Sequence, residues 1–492
     1  MEQIRKAGVL VPVASLPGRH GIGDFGPDAY AFIDTIANAG FRYWQILPLN
    51  PVGYGHSPYQ PYSSFAIDEN YISLSDLTKR GYLKRVGNYN EFAEKVNYEG
   101  SKEFKLPLLR QAFETQMEKN PRCLRRFIEE NPWVEDYGAF AMFHRKNQAS
   151  WEDWPVEERE WIKGDKKLPR RLSHEQKFEI WLQMTAYRQW NELHKYALSK
   201  NIKIIGDVPF YVGYDSCDVW ANQDNFLLTA VDAKPTFVAG VPPDYFSATG
   251  QRWGNPIYDW EKMEREGFLF LKERISRNAK IYDIIRLDHF RAFDTYWKIP
   301  ASCETAIDGE WIEAPGYHFF DLLFAENPSL KEAIIAEDLG DLRPEVLVLR
   351  DHYNFPGMSV VEFTFNDDVF LKKEQWSAKN LVVYLGTHDN DTMAGFLNEM
   401  KGEERASWKQ ALKERGYEEE SEVDNLIRFA LDKPSILTVL TVQDILGLDS
   451  RARINVPGVV DDINWTYKMK DFKDLRAKLP KVRTWIKNSG RK

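Results

Sequence analysis

Four short apolar runs in this chain each deliver an acidic side chain. Three are Ile204-Ile-Gly-Asp207, Ile284-Ile-Arg-Leu-Asp288 and Ile334-Ile-Ala-Glu337-Asp338; the fourth, 381–386, leads into Thr387-His-Asp389-Asn-Asp391. A single acidic residue after a strand is commonly a helix N-cap, the role expected for Asp391. Four at successive strand ends, with Arg286 and His388 beside them, form a cluster on one rim of a barrel. Such clusters either bind a hard divalent cation through several oxygens or work on a glycosidic bond, where one carboxyl stays protonated and another ionised. Arg286 lies two residues before Asp288, hence on the same strand face. A guanidinium there favours the carboxylate anion, which suits a nucleophile. The apolar stretch Ala333-Ile-Ile-Ala before Glu337 would raise a carboxyl pKa, which suits a general acid. Glu337 and Asp338 point to opposite strand faces, so only one can enter the barrel mouth. The pattern leaves that choice open.

Eight strand-length apolar runs must position these groups: 8–14, 42–49, 202–210, 281–288, 332–338, 358–364, 381–387 and 435–442. Several are too continuously apolar for a strand with one wet face, which is the mark of parallel strands covered on both sides. Helical patterns separate them. Gly26-Pro27 offers an N-cap and a proline at the first helical position, and Gly40 stops that helix. Ser173-His-Glu-Gln176 is a capping box, followed by Phe178, Leu182, Ala186, Leu193 and Ala197 at near-helical spacing; Trp181 and Trp190 on the same helix read as core. The alternation predicts a (β/α)8 TIM barrel with large insertions at the C-terminal face; an open doubly wound sheet is the competitor.

The two insertions are 51–172, polar and mostly helical (91–96 and 106–117 among the helical stretches), and 211–262, rich in glycine, proline and aromatics. Both follow a strand, so both rise from the face where barrel enzymes keep their active sites. No linker or repeat divides the chain, so residues 1–492 read as one catalytic domain, the second insertion serving as an active-site lid.

Composition narrows the function. Hydrophobic residues make up 43% and charged residues 28% of the 492-residue chain, enough for a large buried core. The net charge of −9 argues against nucleic-acid partners. Cys123, Cys217 and Cys303 lack C-x-x-C spacing, which excludes a disulfide framework and disfavours a thiolate zinc site. The absence of a secretory h-region and of any long apolar span points to a cytoplasmic protein with no membrane partner.

Several longer motifs add a resemblance. Gly206-Asp-Val-Pro-Phe-Tyr-Val212, Gly240-Val-Pro-Pro-Asp-Tyr-Phe-Ser247, Gly250-Gln-Arg-Trp-Gly-Asn-Pro256, Arg286-Leu-Asp-His-Phe-Arg291, Ala336-Glu-Asp-Leu-Gly340 and Gly386-Thr-His-Asp-Asn-Asp-Thr392 resemble the amylomaltases, the 4-α-glucanotransferase family. Ser57-Pro-Tyr-Gln60, Phe355-Pro-Gly-Met358 and Arg453-Ile-Asn-Val-Pro-Gly458 resemble it too.

The resemblance implies a (β/α)8 barrel and α-retaining double displacement on α-1,4-glucans and maltooligosaccharides, with glucose as an acceptor. It matches Asp288 to the nucleophile, Glu337 to the acid/base, which breaks the tie with Asp338, and Asp389 to the transition-state stabiliser. It also implies substrate contacts at Asp207, Arg286, His388, Tyr59, Ser57 and Asn390, a mobile loop carrying Trp253 at its tip, and a remote glucan site at Tyr54. No cofactor or metal is expected, and the chain is expected to be a monomer or weak homodimer. A retaining α-glucan hydrolase and a non-catalytic glucan-binding protein are the alternatives.

Overall fold

The computed structural model describes residues 5–491 apart from 88, 90–93, 165–171, 244–246, 365–379 and 462, with the backbone alone at Tyr54 and Thr364. Two sheets are present among these residues. In chain order the strands are β1 (Lys6–Leu10), β2 (Tyr43–Gln45), β3 (Lys203–Val208), β4 (Phe237–Val241), β5 (Gln251–Pro256), β6 (Ile284–Leu287), β7 (Thr295–Pro300), β8 (Glu310–Glu313), β9 (Ile334–Ala336), β10 (Gly357–Val360), β11 (Leu381–Tyr384) and β12 (Leu437–Thr441).

Eight of them lie side by side in the order β10, β11, β12, β1, β2, β3, β6, β9, every pairing parallel. The Ala336 N–H donates to Pro356 O at 2.9 Å, bringing the β9 edge back to the start of β10. The sheet is therefore a nearly closed barrel and not an open doubly wound one. Each of the eight predicted runs contributes one of its strands. All five residues of β12 and five of six in β3 are buried, because helices cover the outside of the barrel while side chains fill its interior.

The connections obey the local signals. Pro27 opens the helix Pro27–Asn38 behind a Gly26 N-cap, and Gly40 takes a left-handed φ of 89° just beyond it. Ser173 Oγ accepts from the Gln176 N–H at 3.1 Å at the start of His174–Ser199. No reciprocal bond from the Ser173 N–H to the Gln176 amide oxygen is present, and Gln176 Nε2 donates to Glu135 O at 3.0 Å. Trp181 and Trp190 are fully buried on this helix.

Between β2 and β3 run Leu74–Lys79, Tyr98–Lys119, Arg125–Glu130 and Trp133–Asn147. The predicted stretch 106–117 falls inside the second of these. The stretch 91–96 is corrected: 91–93 lie outside the described residues, and 94–96 are not helical. There Lys95 bridges Tyr467 and the Val96 N–H donates to Thr466 O at 2.8 Å, so a distant segment satisfies this backbone in place of a helical turn. Between β3 and β6 stand β4 and β5, which join β7 and β8 in an antiparallel sheet ordered β5, β4, β7, β8. Among the described residues no helix is long and apolar enough to cross a membrane.

Candidate active site

The acidic side chains named above gather where the barrel strands end. Asp207 lies within β3, and its Cα partner across the ladder is Arg286 of β6. Gly206 precedes it because a Cβ at that position would lie 2.1 Å from the Tyr282 ring. Arg286 Nη1 donates to both Asp207 oxygens at 2.8 and 2.9 Å and to Asp288 Oδ1 at 2.8 Å. Burial alone would lower the guanidinium pKa, but Asp207 and Asp288 hold it well above its ordinary value. Tyr59 Oη donates to Asp207 Oδ2 at 2.8 Å, and its ring stacks on His388 with centroids 5.1 Å apart.

Glu337 follows β9 and accepts two backbone N–H groups, His289 at Oε2 (2.8 Å) and Leu339 at Oε1 (2.9 Å). Those bonds and Arg286 favour its anion. Burial and the neighbouring Asp288 charge outweigh them and push its pKa up to about 7. Asp338 turns the other way, accepting from the Met358 N–H at 2.7 Å and pairing with Arg350. It is thereby tied to the wall beside β10.

Asp389 shows the opposite displacement. Desolvation works to raise its pKa, but His388 Nε2 at 3.2 Å and Asn455 Nδ2, which donates to Oδ1 at 2.6 Å, bring it down to about 2. The same contact raises the buried His388 against a desolvation effect that would lower it. Two carboxyls of one mouth are thus separated into a proton holder and a permanent anion, the division acid/base chemistry on a glycosidic bond requires.

The remaining predicted residues are placed as follows. Ser57 Oγ accepts from the Tyr59 N–H at 3.3 Å. Asn390 Oδ1 accepts from the Thr387 N–H and Oγ at 2.9 and 2.8 Å; both residues hold the turns that carry their neighbours. Asp391 accepts from the Thr392 N–H and from Ser450 Oγ. The Tyr54 side chain lies outside the described part of the structure. Trp253, expected at the tip of a loop, stands in β5, edge to face with His289 at 5.0 Å. Its flanking glycines, Gly250 and Gly254, take φ of 67° and 81° and serve a hairpin whose register shifts between Val238 and Gly240. The glycines that read as loop residues are turn and bulge residues. Gln60 Nε2 donates to Trp253 O at 3.0 Å, tying this hairpin to the segment after β2.

Sequence reasoning missed Asn455, Arg453, Trp465 and His289. Arg453 Nη2 donates to Asp389 O at 2.6 Å and its Nε to Asn455 O at 2.7 Å. Trp465 packs against Tyr59 and His388. The run Arg453–Gly458 had carried a family resemblance but no assigned role. Among the described residues, no group of three His, Cys, Asp or Glu side chains is arranged to hold a metal ion.

A barrel whose mouth combines these carboxyls with a buried arginine belongs to the class of enzymes that act on glycosidic bonds. A family model described as 4-alpha-glucanotransferase matches residues 11–474. The 4-alpha-glucanotransferase of Thermus thermophilus is 40% identical over 488 residues, covering 95% of either chain. The chloroplastic/amyloplastic 4-alpha-glucanotransferase of Solanum tuberosum is 37% identical, covering 99% of this chain and 86% of its own. Among solved structures, the amylomaltase of Streptococcus agalactiae in complex with acarbose superposes with a TM-score of 0.92 at 33% identity over 99% of both chains. The chain belongs to the 4-alpha-glucanotransferase family, the amylomaltases, and 4-α-glucan transfer is its activity.

Proposed function

We propose that the chain moves segments of α-1,4-glucan between maltooligosaccharides, glucose included as an acceptor, by a retaining double displacement. The observation that carries this reading is the split between Glu337, pushed up to about 7, and Asp389, held down at about 2, beside an Asp288 gripped by Arg286. Glu337 gives its proton to the glycosidic oxygen while Asp288 attacks the anomeric carbon, forming a β-glucosyl ester and releasing the leaving chain. Asp389 accepts hydrogen bonds from ring hydroxyls as oxocarbenium character develops, a contact stronger in the transition state than before it. Glu337, now a carboxylate, takes the proton of an acceptor 4-hydroxyl, whose oxygen displaces Asp288. Two inversions restore the α-configuration. No step in this sequence calls for a metal or a cofactor.

Asp207, Arg286 and His388 form the inner wall of the glucan site in this reading, Tyr59, Ser57, Asn390 and Trp253 extend it, and Tyr54 belongs to a second, remote glucan site. The acarbose bound by the Streptococcus agalactiae relative supports a saccharide ligand. Residues 51–172 and 211–262 are insertions of a single barrel domain, the second a lid over the mouth. The protein acts in the cytoplasm as a monomer or weak dimer.

Incubation of the purified protein with maltotriose tests the reading. Glucose together with chains longer than maltotriose supports it. A net gain of reducing ends without longer chains favours a hydrolase, and an unchanged substrate favours a glucan-binding scaffold.

A further inference from the structure

A cavity of about 690 Å³ opens among the helices Arg125–Glu130, His174–Ser199 and Leu269–Ile281. Ile281, on its wall, lies just ahead of β6, at the end of that strand away from Asp288. The cavity therefore stands at least a strand length from the acidic mouth, roughly 13 Å at 3.3 Å per residue. Its volume falls in the range of small-molecule sites, and nothing in glucan transfer uses it.

Its charge inventory is unequal. Three arginines line it, and each has a carboxylate partner: Arg126 with Glu130 at 2.7 Å, Arg188 with Asp76 at 2.7 Å and Arg277 with Glu273 at 2.9 Å, while Arg188 Nη1 is buried without a hydrogen bond among the described residues. Glu192, the other carboxylate of the lining, is held by Arg80 at 2.6 Å. Nearby Asp283 accepts from His194 Nε2 and from the Ile204 N–H, both at 2.8 Å. Lys195 and Lys280 line the same cavity and have no ion-pair partner among the described residues. In a chain of net charge −9, two ammonium groups without ion-pair partners add positive charge to one concavity. Lysine meets phosphate as a point charge, so the pair suits one dianionic group. Phe127, Tyr187 and Met184 add apolar lining. The Asn191 amide, also on the wall, makes no hydrogen bond among the described residues and is available to a hydroxyl.

We propose that this cavity binds a hexose monophosphate. The phosphate sits between Lys195 and Lys280, ring hydroxyls reach Asn191 and the rim carboxylate of Glu130, and the C–H face of the sugar lies on Tyr187 and Phe127. The site is independent of the catalytic reading, because none of these residues touches the barrel mouth.

Calorimetric titration of the full-length protein with glucose 6-phosphate tests it, beside a Lys195→Gln/Lys280→Gln double variant. Both lysines are exposed, so the variant keeps its melting temperature and its maltotriose turnover without ligand. The expected result is saturable binding to the unaltered protein, weakened about tenfold or more in the variant by loss of both charges. Absence of saturable binding up to millimolar ligand, or equal affinity in the variant, overturns the proposal.

Discussion

Asp207 and Arg286 face each other as register partners across β3 and β6, and a single guanidinium nitrogen lies within 2.9 Å of both Asp207 oxygens. That same nitrogen reaches Asp288 at 2.8 Å. Asp288 follows a short strand and owes its orientation to an ion pair anchored on the neighbouring one. The arrangement is polar, buried and over-determined: Asp207 is 1% exposed and Arg286 4%, with Tyr59 supplying a further donor.

Removing the cation should therefore cost both stability and rate. Arg286→Ala leaves Asp207 as an uncompensated buried charge, a loss of about 3–5 kcal/mol readable as a lower urea midpoint. Adding Asp207→Asn to that variant should recover much of the stability and none of the activity. Recovery of turnover in the double variant would show that Arg286 serves the fold alone.

Glu337 should impose an alkaline limit on kcat/KM with an apparent pKa near 7, because the acid must be protonated when the free enzyme meets substrate. The same displacement has a sign for stability. Its folded-state pKa is raised above the ordinary 4.5, so the folded state binds more protons between about 4.5 and 7. Stability is lost as pH rises through that window. Glu337→Gln should flatten this part of the stability profile while abolishing transfer. An unchanged slope would mean that Glu337 titrates at its ordinary value.

Adjacent acids should behave oppositely. Asp338, paired with Arg350 and capping the Met358 N–H, is expected to act through structure. Asp338→Asn should lower the melting temperature while leaving kcat within about threefold, the mechanism being a broken buried pair. Glu337→Gln should lower kcat by several orders of magnitude without lowering the melting temperature. Exchange of those two phenotypes would reverse the assignment.

Asn455 donates to Asp389 at 2.6 Å from a segment 66 positions later in the chain. Asn455→Ala releases one oxygen of Asp389 and lets its carboxylate turn, a small displacement worth about 10–100-fold in rate. The loss should appear mainly in kcat, measured with maltotriose. A change confined to KM would make Asn455 a ground-state binding residue.

The legible part of this protein was the part governed by local pattern. Each continuous apolar run became a barrel strand because a strand covered on both faces must be apolar throughout, and the acids after them had nowhere to go but the rim. Choosing between Glu337 and Asp338 needed more than alternation. Arg350, twelve residues on, pairs with Asp338 and holds it away from Glu337's position, which supports the choice of Glu337. Trp253, placed by the resemblance at a loop tip, stands instead in β5, in a bulged hairpin that only the partner strand β4 reveals. Asn455, Arg453 and Trp465 were invisible for a different reason. Their contacts with Asp389, His388 and Tyr59 are made by chain return across the barrel mouth, which leaves no periodic trace in the sequence.

The central claim is a covalent glucosyl–Asp288 intermediate released by Glu337. Its most direct test is to incubate the Glu337→Gln variant with an α-glucosyl fluoride donor, whose leaving group needs no acid, and to map the modified peptide by mass spectrometry. The account predicts a glucosyl ester that accumulates on Asp288, for want of a base to activate the acceptor, and is absent from Asp288→Asn. An adduct on another carboxylate, or turnover to a β-configured product with no adduct, would contradict it.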